Sequence, residues 1–178
     1  MIKSYESDQK HKFELILVQD CTETDKKQLI QDFDLPSTVL EYVDDKDEPA
    51  RTEVDVEGDY ALLVFWAPLK GSAHSEPISV IFFDKKLFIF LSSEMHFVSD
   101  TLKELRDQAY EKRMSFVLDL ILPIVRKYIG RVTKLEYRAD QIQNKLSART
   151  RMKRLDDLTL INHCLLYTSD AADEGLGV

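Results

Sequence analysis

The segment Gly58-Asp59-Tyr60-Ala61-Leu62-Leu63-Val64-Phe65-Trp66 decides the fold. Gly58-Asp59 is a hairpin signal, because both residues tolerate the left-handed backbone of a tight turn. The apolar run after it is bounded by the turn and reads as a strand buried on both faces. Immediately upstream, residues 51–56 alternate, with Val54 and Val56 on one face. Downstream, residues 70–76 read as a loop. Residues 78–83 and 87–91 then form two strands joined tightly across Asp84-Lys85-Lys86.

Further outward the pattern changes to helices. Residues 13–18 are short, apolar and β-favouring, so they predict another strand. Thr22 stands at an N-cap position with Asp25 three residues on, where a carboxylate favours the free N–H groups of a first turn. Leu29, Ile30 and Phe33 give that helix its apolar side, and it ends before Leu35-Pro36. A second short helix starts near Ser37, carries Val39, Leu40 and Val43, and stops in the acidic run that begins at Asp44. Residues 99–110 predict one more helix, with Leu102, Leu105 and Ala109 at helical spacing. The economical arrangement is α+β, layered α/β/α: one mixed sheet flanked by helices and followed by a long stalk helix.

That last helix is different in kind. Ile121, Ile124, Tyr128, Val132, Leu135, Ala139, Ile142 and Leu146 recur at spacings of three and four, a seam near 3.5 residues per turn. Residues 115–162 contain one Gly (Gly130), one Pro (Pro123) and no turn cluster. A continuous helix of about 48 residues would extend roughly 70 Å, so it must pack on an oligomer or another partner.

Composition and charge divide the 178 residues in the same way. Residues 1–113 hold 24 Asp and Glu against 14 Lys and Arg, whereas residues 114–163 hold 5 against 10. Residues 164–178 carry Asp170, Asp173 and Glu174 and no base. The expected organisation is an acidic head (1–113), a basic stalk helix (114–163) and a tail (164–178) read as non-native. The net charge of −8 argues against a general nucleic-acid binder. The basic arm is either a solvated helix face or a surface that pairs with acidic faces of neighbouring subunits. Cys21 and Cys164 allow at most one bridge and fit a reducing compartment. There is no signal pattern at the N-terminus, and no run approaches the roughly 20 apolar residues of a spanning helix.

Catalytic groupings are missing. His11, His74, His96 and His163 are scattered without ligand spacing, and no Gly-rich phosphate loop or Gly-x-Ser-x-Gly elbow occurs. The chain is therefore read as a non-enzyme. Asp44-Asp45-Lys46-Asp47-Glu48 is the cluster with possible metal chemistry, since several carboxylates on a short turn suit a hard cation such as Mg²⁺. A solvated helix end and loop is the other reading of the same residues.

Several short motifs together resemble the cytoplasmic domain of CorA-type magnesium/cobalt transporters. They are Phe33-Asp34-Leu35-Pro36 with Leu40-Glu41 after it, and Asp47-Glu48-Pro49-Ala50-Arg51 leading to Val54. Gly58-Asp59-Tyr60 follows, running into Leu62, Val64, Trp66 and Pro68, and then come Pro77-Ile78 and Phe88-Ile89. The run from Leu118 to Leu146 resembles the start of the family's stalk helix, and the resemblance covers residues 13–162.

What the resemblance implies is the cytoplasmic regulatory domain of a divalent-cation channel, moving Mg²⁺ and in some members Co²⁺ or Ni²⁺. It implies a homopentamer when full length, held at the cytoplasmic side of the cell membrane by C-terminal helices that this chain lacks. It also implies a regulatory metal between adjacent heads. Glu41 matches a family acid, the usual ligand position is Tyr42, and Asp44 or Asp45 stands in for it. A zinc-transporting relative, or a soluble oligomerisation module with a coiled-coil arm, is the alternative. The stretch from Cys164 to Glu174 resembles a translated transposon-end sequencing adapter, with residues 175–178 as its continuation.

Overall fold

The computed structural model describes residues 1–5, 11–43, 45–72, 74–148, 158–159 and 161–162. Six strands, β1 (Ile2–Tyr5), β2 (Glu14–Gln19), β3 (Arg51–Asp55), β4 (Tyr60–Pro68), β5 (Ser75–Phe83) and β6 (Lys86–Leu91), form one sheet. Their order is β1-β2-β6-β5-β4-β3. β3 to β6 are an antiparallel meander, and β2 lies parallel to β6, so the sheet is mixed. The helices are α1 (Glu23–Phe33), α2 (His96–Arg106) and α3 (Arg113–Ala148), with a 3-10 turn at Ser37–Glu41.

Local chemistry sets these boundaries. Thr22 caps α1 through a full capping box: its hydroxyl accepts from the Asp25 N–H, and the Asp25 carboxylate accepts from the Thr22 N–H. The carboxyl of Asp25 is held below the ordinary aspartate range, chiefly by the Thr22 hydroxyl. Asp34 ends the helix in the left-handed region at φ 55°, and its N–H donates to Ile30 O. Asp59 and Asp84 hold the same conformation in the two hairpin turns. At Gly58 a Cβ would lie 2.9 Å from the Tyr60 ring, so the close approach demands glycine.

Alternation sorts the sheet into two faces. Ile16, Val18, Leu62, Val64, Ile81, Phe88 and Phe90 bury against Leu29 of α1 and Leu35, Val39 and Leu40 beyond it. The opposite face buries Leu15, Ile78, Val80, Leu87 and Ile89, and the buried residues of α2 (Val98, Leu102, Leu105) and early α3 (Phe116, Val117, Leu120) supply its cover. That cover thins toward β3. On β4 the residues Tyr60, Leu62 and Val64 are buried, but Ala61, Leu63 and Phe65 are only half-buried. The expectation that this strand is buried on both faces therefore holds for one face alone. Val54, opposite Ala61, is 69% exposed.

Other expectations shift by a few residues. β1 was not foreseen: its four residues have no apolar periodicity, and antiparallel pairing of Ile2 with Val18 through Tyr5 with Leu15 creates it. β5 begins at Ser75, inside the expected loop, because β4 runs on to Pro68 and supplies partners that far. The segment after Pro36 is a 3-10 turn instead of an α-helix. α2 starts at His96, three residues early, and ends at Arg106, so Ala109 lies beyond it and exposed.

The chain divides into two compact units, Met1–Ile124 and Val125–Val178. α3 continues through Pro123 and ends at Ala148. The expected helix over residues 115–162 is thus observed to Ala148; residues 158–159 and 161–162 are helical, and the rest of that span lies outside the described residues. Residues 164–178 also lie outside them. Among the described residues no helix is long and apolar enough to cross a membrane.

Candidate functional site

The acidic candidates follow the 3-10 turn. Glu41 is its last residue and is exposed, with no partner among the described residues. Asp45 is exposed, and its Oδ1 accepts from the Asp47 N–H at 2.9 Å. Asp44 lies outside the described residues. Tyr42, at the position the resemblance assigns to a ligand, is half-buried beneath the Arg51 guanidinium, 4.4 Å from its ring centroid.

Glu48 has a structural place. It is buried, and its Oε1 pairs with Arg51 Nη1 at 2.8 Å, while Arg51 Nη2 reaches Glu53 at 3.2 Å. The Tyr60 hydroxyl donates to Glu53 Oε1, which ties this network to the core. Removing Arg51 would leave the buried Glu48 carboxylate without its partner, so this pair fixes the strand that follows the acidic run.

Asp45 opens onto a cleft of about 310 Å³ at the carboxyl ends of the parallel strands β2 and β6. Asp20 and Glu76 line the same cleft, together with Thr22 and Cys21. Asp20 sits at φ 46°, and its Oδ1 accepts from the Ser93 N–H at 2.9 Å. Hydrogen bonds from Ser93 hold its carboxyl below the ordinary range. Glu76 pairs with Lys46 at 3.6 Å. Sequence reasoning found Asp45 but not Asp20 or Glu76; the available signal was an aspartate two residues after the predicted strand and two residues before the Thr22 cap.

Among the described residues, no three His, Cys, Asp or Glu side chains are placed to hold a metal ion. Glu41 and Asp45 offer exposed oxygen donors of the kind Mg²⁺ takes, but one chain supplies only part of such a site. The donor set does not make a closed site among the described residues of one chain.

A second feature is the joint at the start of α3. Arg113 Nη1 donates to Lys86 O at 2.9 Å and to Asp84 O, clamping the β5–β6 turn, and its guanidinium lies 5.7 Å from the Phe82 ring centroid. Tyr110 donates to Asp119 Oδ2 at 2.8 Å. His11, Phe13, Tyr110 and Phe116 form an aromatic box with centroids 5.1 to 6.2 Å apart. Burial, then the Asp119 carboxylate, pushes the Tyr110 hydroxyl up to about 12. The first turns of α3 are in this way locked to the sheet.

Fold and joint together define a layered αβα head with the first turns of a long helix packed against it. A model of the family described as "CorA-like Mg2+ transporter protein" matches residues 12–174, and the chain belongs to that family. The soluble domain of CorA from Methanocaldococcus jannaschii has a similar fold, with 18% identity, a TM-score of 0.66, and coverage of 88% of this chain and 68% of that one. The complete CorA magnesium transporter from the same organism matches at 19% identity and TM-score 0.66; 90% of this chain covers 52% of its length. The ZntB cytoplasmic domain from Vibrio parahaemolyticus matches at 11% identity and TM-score 0.58, over 75% of this chain and 57% of that one. A search of curated proteins finds no match.

Proposed function

We propose that this chain is the cytoplasmic regulatory head, with part of the stalk, of a channel-type transporter that carries Mg²⁺. Its assembly is a homo-oligomer, a pentamer in the intact protein, held at the membrane by helices beyond this chain. Family membership over residues 12–174 carries the reading. Co²⁺ and Ni²⁺ share the preference for the same pathway in this account.

A stripe on α3 supports the assembly. Leu118, Leu122, Val125, Ile129 and Val132 follow spacings of four and three and are between 38% and 59% exposed. Five large apolar side chains in a row along one helix leave a face that only another surface can dry. The seam read from the sequence shares Val132 with this stripe and otherwise runs beside it: Ile124 is buried, and Ile121, Tyr128, Leu135, Ala139 and Ile142 are half-buried.

Regulation follows from the acidic surface. Glu41, Asp44 and Asp45 of one head meet a neighbouring head through shared Mg²⁺. When the ion leaves, each close carboxylate pair repels by about 1 kcal/mol in water and up to about 4 at a half-screened surface. The heads then separate, and the Arg113 and Tyr110 contacts carry that movement into α3.

Limited proteolysis of the chain at millimolar Mg²⁺ tests this reading. Cleavage within the head slows on adding Mg²⁺, and Glu41→Gln with Asp45→Asn abolishes the protection. Identical digestion with and without the ion would remove metal sensing from the account. Stronger protection by Zn²⁺ than by Mg²⁺ would move the cargo toward zinc.

A further inference from the structure

A second cavity of the head adjoins the cleft onto which Asp45 opens, and Leu91 lines both. It is a groove of about 770 Å³ between α2 and the β1–β2 edge of the sheet. That volume is in the range of sites that enclose a small organic ligand. Its floor is apolar, formed by Leu17, Leu91 and Leu102, and a hydrogen bond from Gln19 Nε2 to Ser99 Oγ at 3.3 Å crosses one wall.

The rim is cationic. Lys103 and Arg106 lie one turn apart on α2, so both project to the same side, and Lys3 lines the groove from β1. Asp100 is the lone carboxylate of the lining, and it pairs with Lys103 at 2.9 Å. Both members of that pair are exposed, so the bond is weak and exchangeable. Arg106 and Lys3 have no carboxylate partner among the described residues. The guanidinium of Arg106 rests 4.2 Å from the Tyr5 ring centroid, which orients its plane and leaves N–H groups to donate. His96 adds a further donor at the mouth.

This is an anion-binding arrangement in a head that carries 24 acids against 14 bases over residues 1–113. Cations gathered over an apolar floor, within an acidic surface, focus positive potential at one place. A bare phosphate would satisfy the rim and leave the floor wet. We infer that the groove binds a nucleoside polyphosphate, its phosphates on Lys3, Lys103 and Arg106 and its base on Leu17, Leu91 and Leu102. The transport reading is not needed for this inference.

Isothermal titration calorimetry on the full chain, in EDTA so that no divalent ion contributes, tests it with three probes: ADP, adenosine and inorganic tripolyphosphate. ADP binds with Kd below about 1 mM, and adenosine and tripolyphosphate each bind at least tenfold more weakly. Lys103→Ala with Arg106→Ala weakens ADP by tenfold or more, with circular dichroism confirming the fold. Lys3→Ala, on an exposed edge position, repeats the test should the double variant not fold. No heat with ADP at several times that concentration overturns the inference. So does unchanged binding in the folded variants, or tripolyphosphate binding as tightly as ADP.

Discussion

The Tyr110 hydroxyl donates to the Asp119 carboxylate at 2.8 Å, joining the segment that leaves α2 to the second turn of α3. Tyr110 is buried, so this bond ties the exit of the helix to the packed interior of the head. Charging Tyr110 in place would set an anion beside Asp119. Burial first, and then the Asp119 carboxylate, push its ordinary value near 10 up to about 12. A folded-state value above the unfolded one gives stability that is complete below about pH 10 and is lost as pH rises toward 12. Thermal midpoints measured from pH 8 to 12 should fall steeply above pH 10, and Tyr110→Phe should flatten that limb. At neutral pH the same variant costs about 1 kcal/mol for the lost hydrogen bond, with Asp119 left free to meet water.

Gly58 lies under the Tyr60 ring, where a Cβ would approach to 2.9 Å. Tyr60 is buried and its hydroxyl is held by Glu53, so the ring has little room to retreat. Gly58→Ala should destabilise the head by about 1–3 kcal/mol, the range for overpacking. Urea unfolding followed by Trp66 fluorescence would read the shift in midpoint.

The exposed α3 stripe predicts concentration-dependent association. Val125→Glu with Ile129→Glu places two charges on the face that must be dry in an assembly, so sedimentation velocity should show a lower oligomer population than the parent chain. Both side chains are exposed, and surface changes of this kind usually cost within about 0.5 kcal/mol, so monomer stability should be unchanged. Equal association of variant and parent would place the contact elsewhere on the chain.

Much of the head was legible because its signals are local. The Thr22 N-cap, the stop before Leu35-Pro36, and the turns at Asp59 and Asp84 each act within a few residues, and each forms as read. β1 was illegible because its pairing with β2, not its own four residues, makes it a strand. The 3.5-residue spacing over residues 121–146 was visible, but the exposed stripe beginning at Leu118 was not. Periodicity shows that an apolar side exists, and only packing shows which side remains uncovered. The candidate site divides in the same way. Asp45 stood out in a contiguous acidic run. Asp20 and Glu76 join it only because β2, β5 and β6 bring their ends to one cleft. The basic groove gathers Lys3, Tyr5, Lys103 and Arg106 from segments about a hundred residues apart, which no local pattern reveals.

The most direct measurement is to read the source DNA past the codon for Asn162 by a method that uses no ligated or transposed adapter. The account predicts a frame that leaves the present sequence near His163, continues through more stalk and reaches two apolar stretches of about 20 residues each. A frame that keeps residues 164–178 and stops at Val178 would contradict it, leaving a transporter-family head without a membrane to serve.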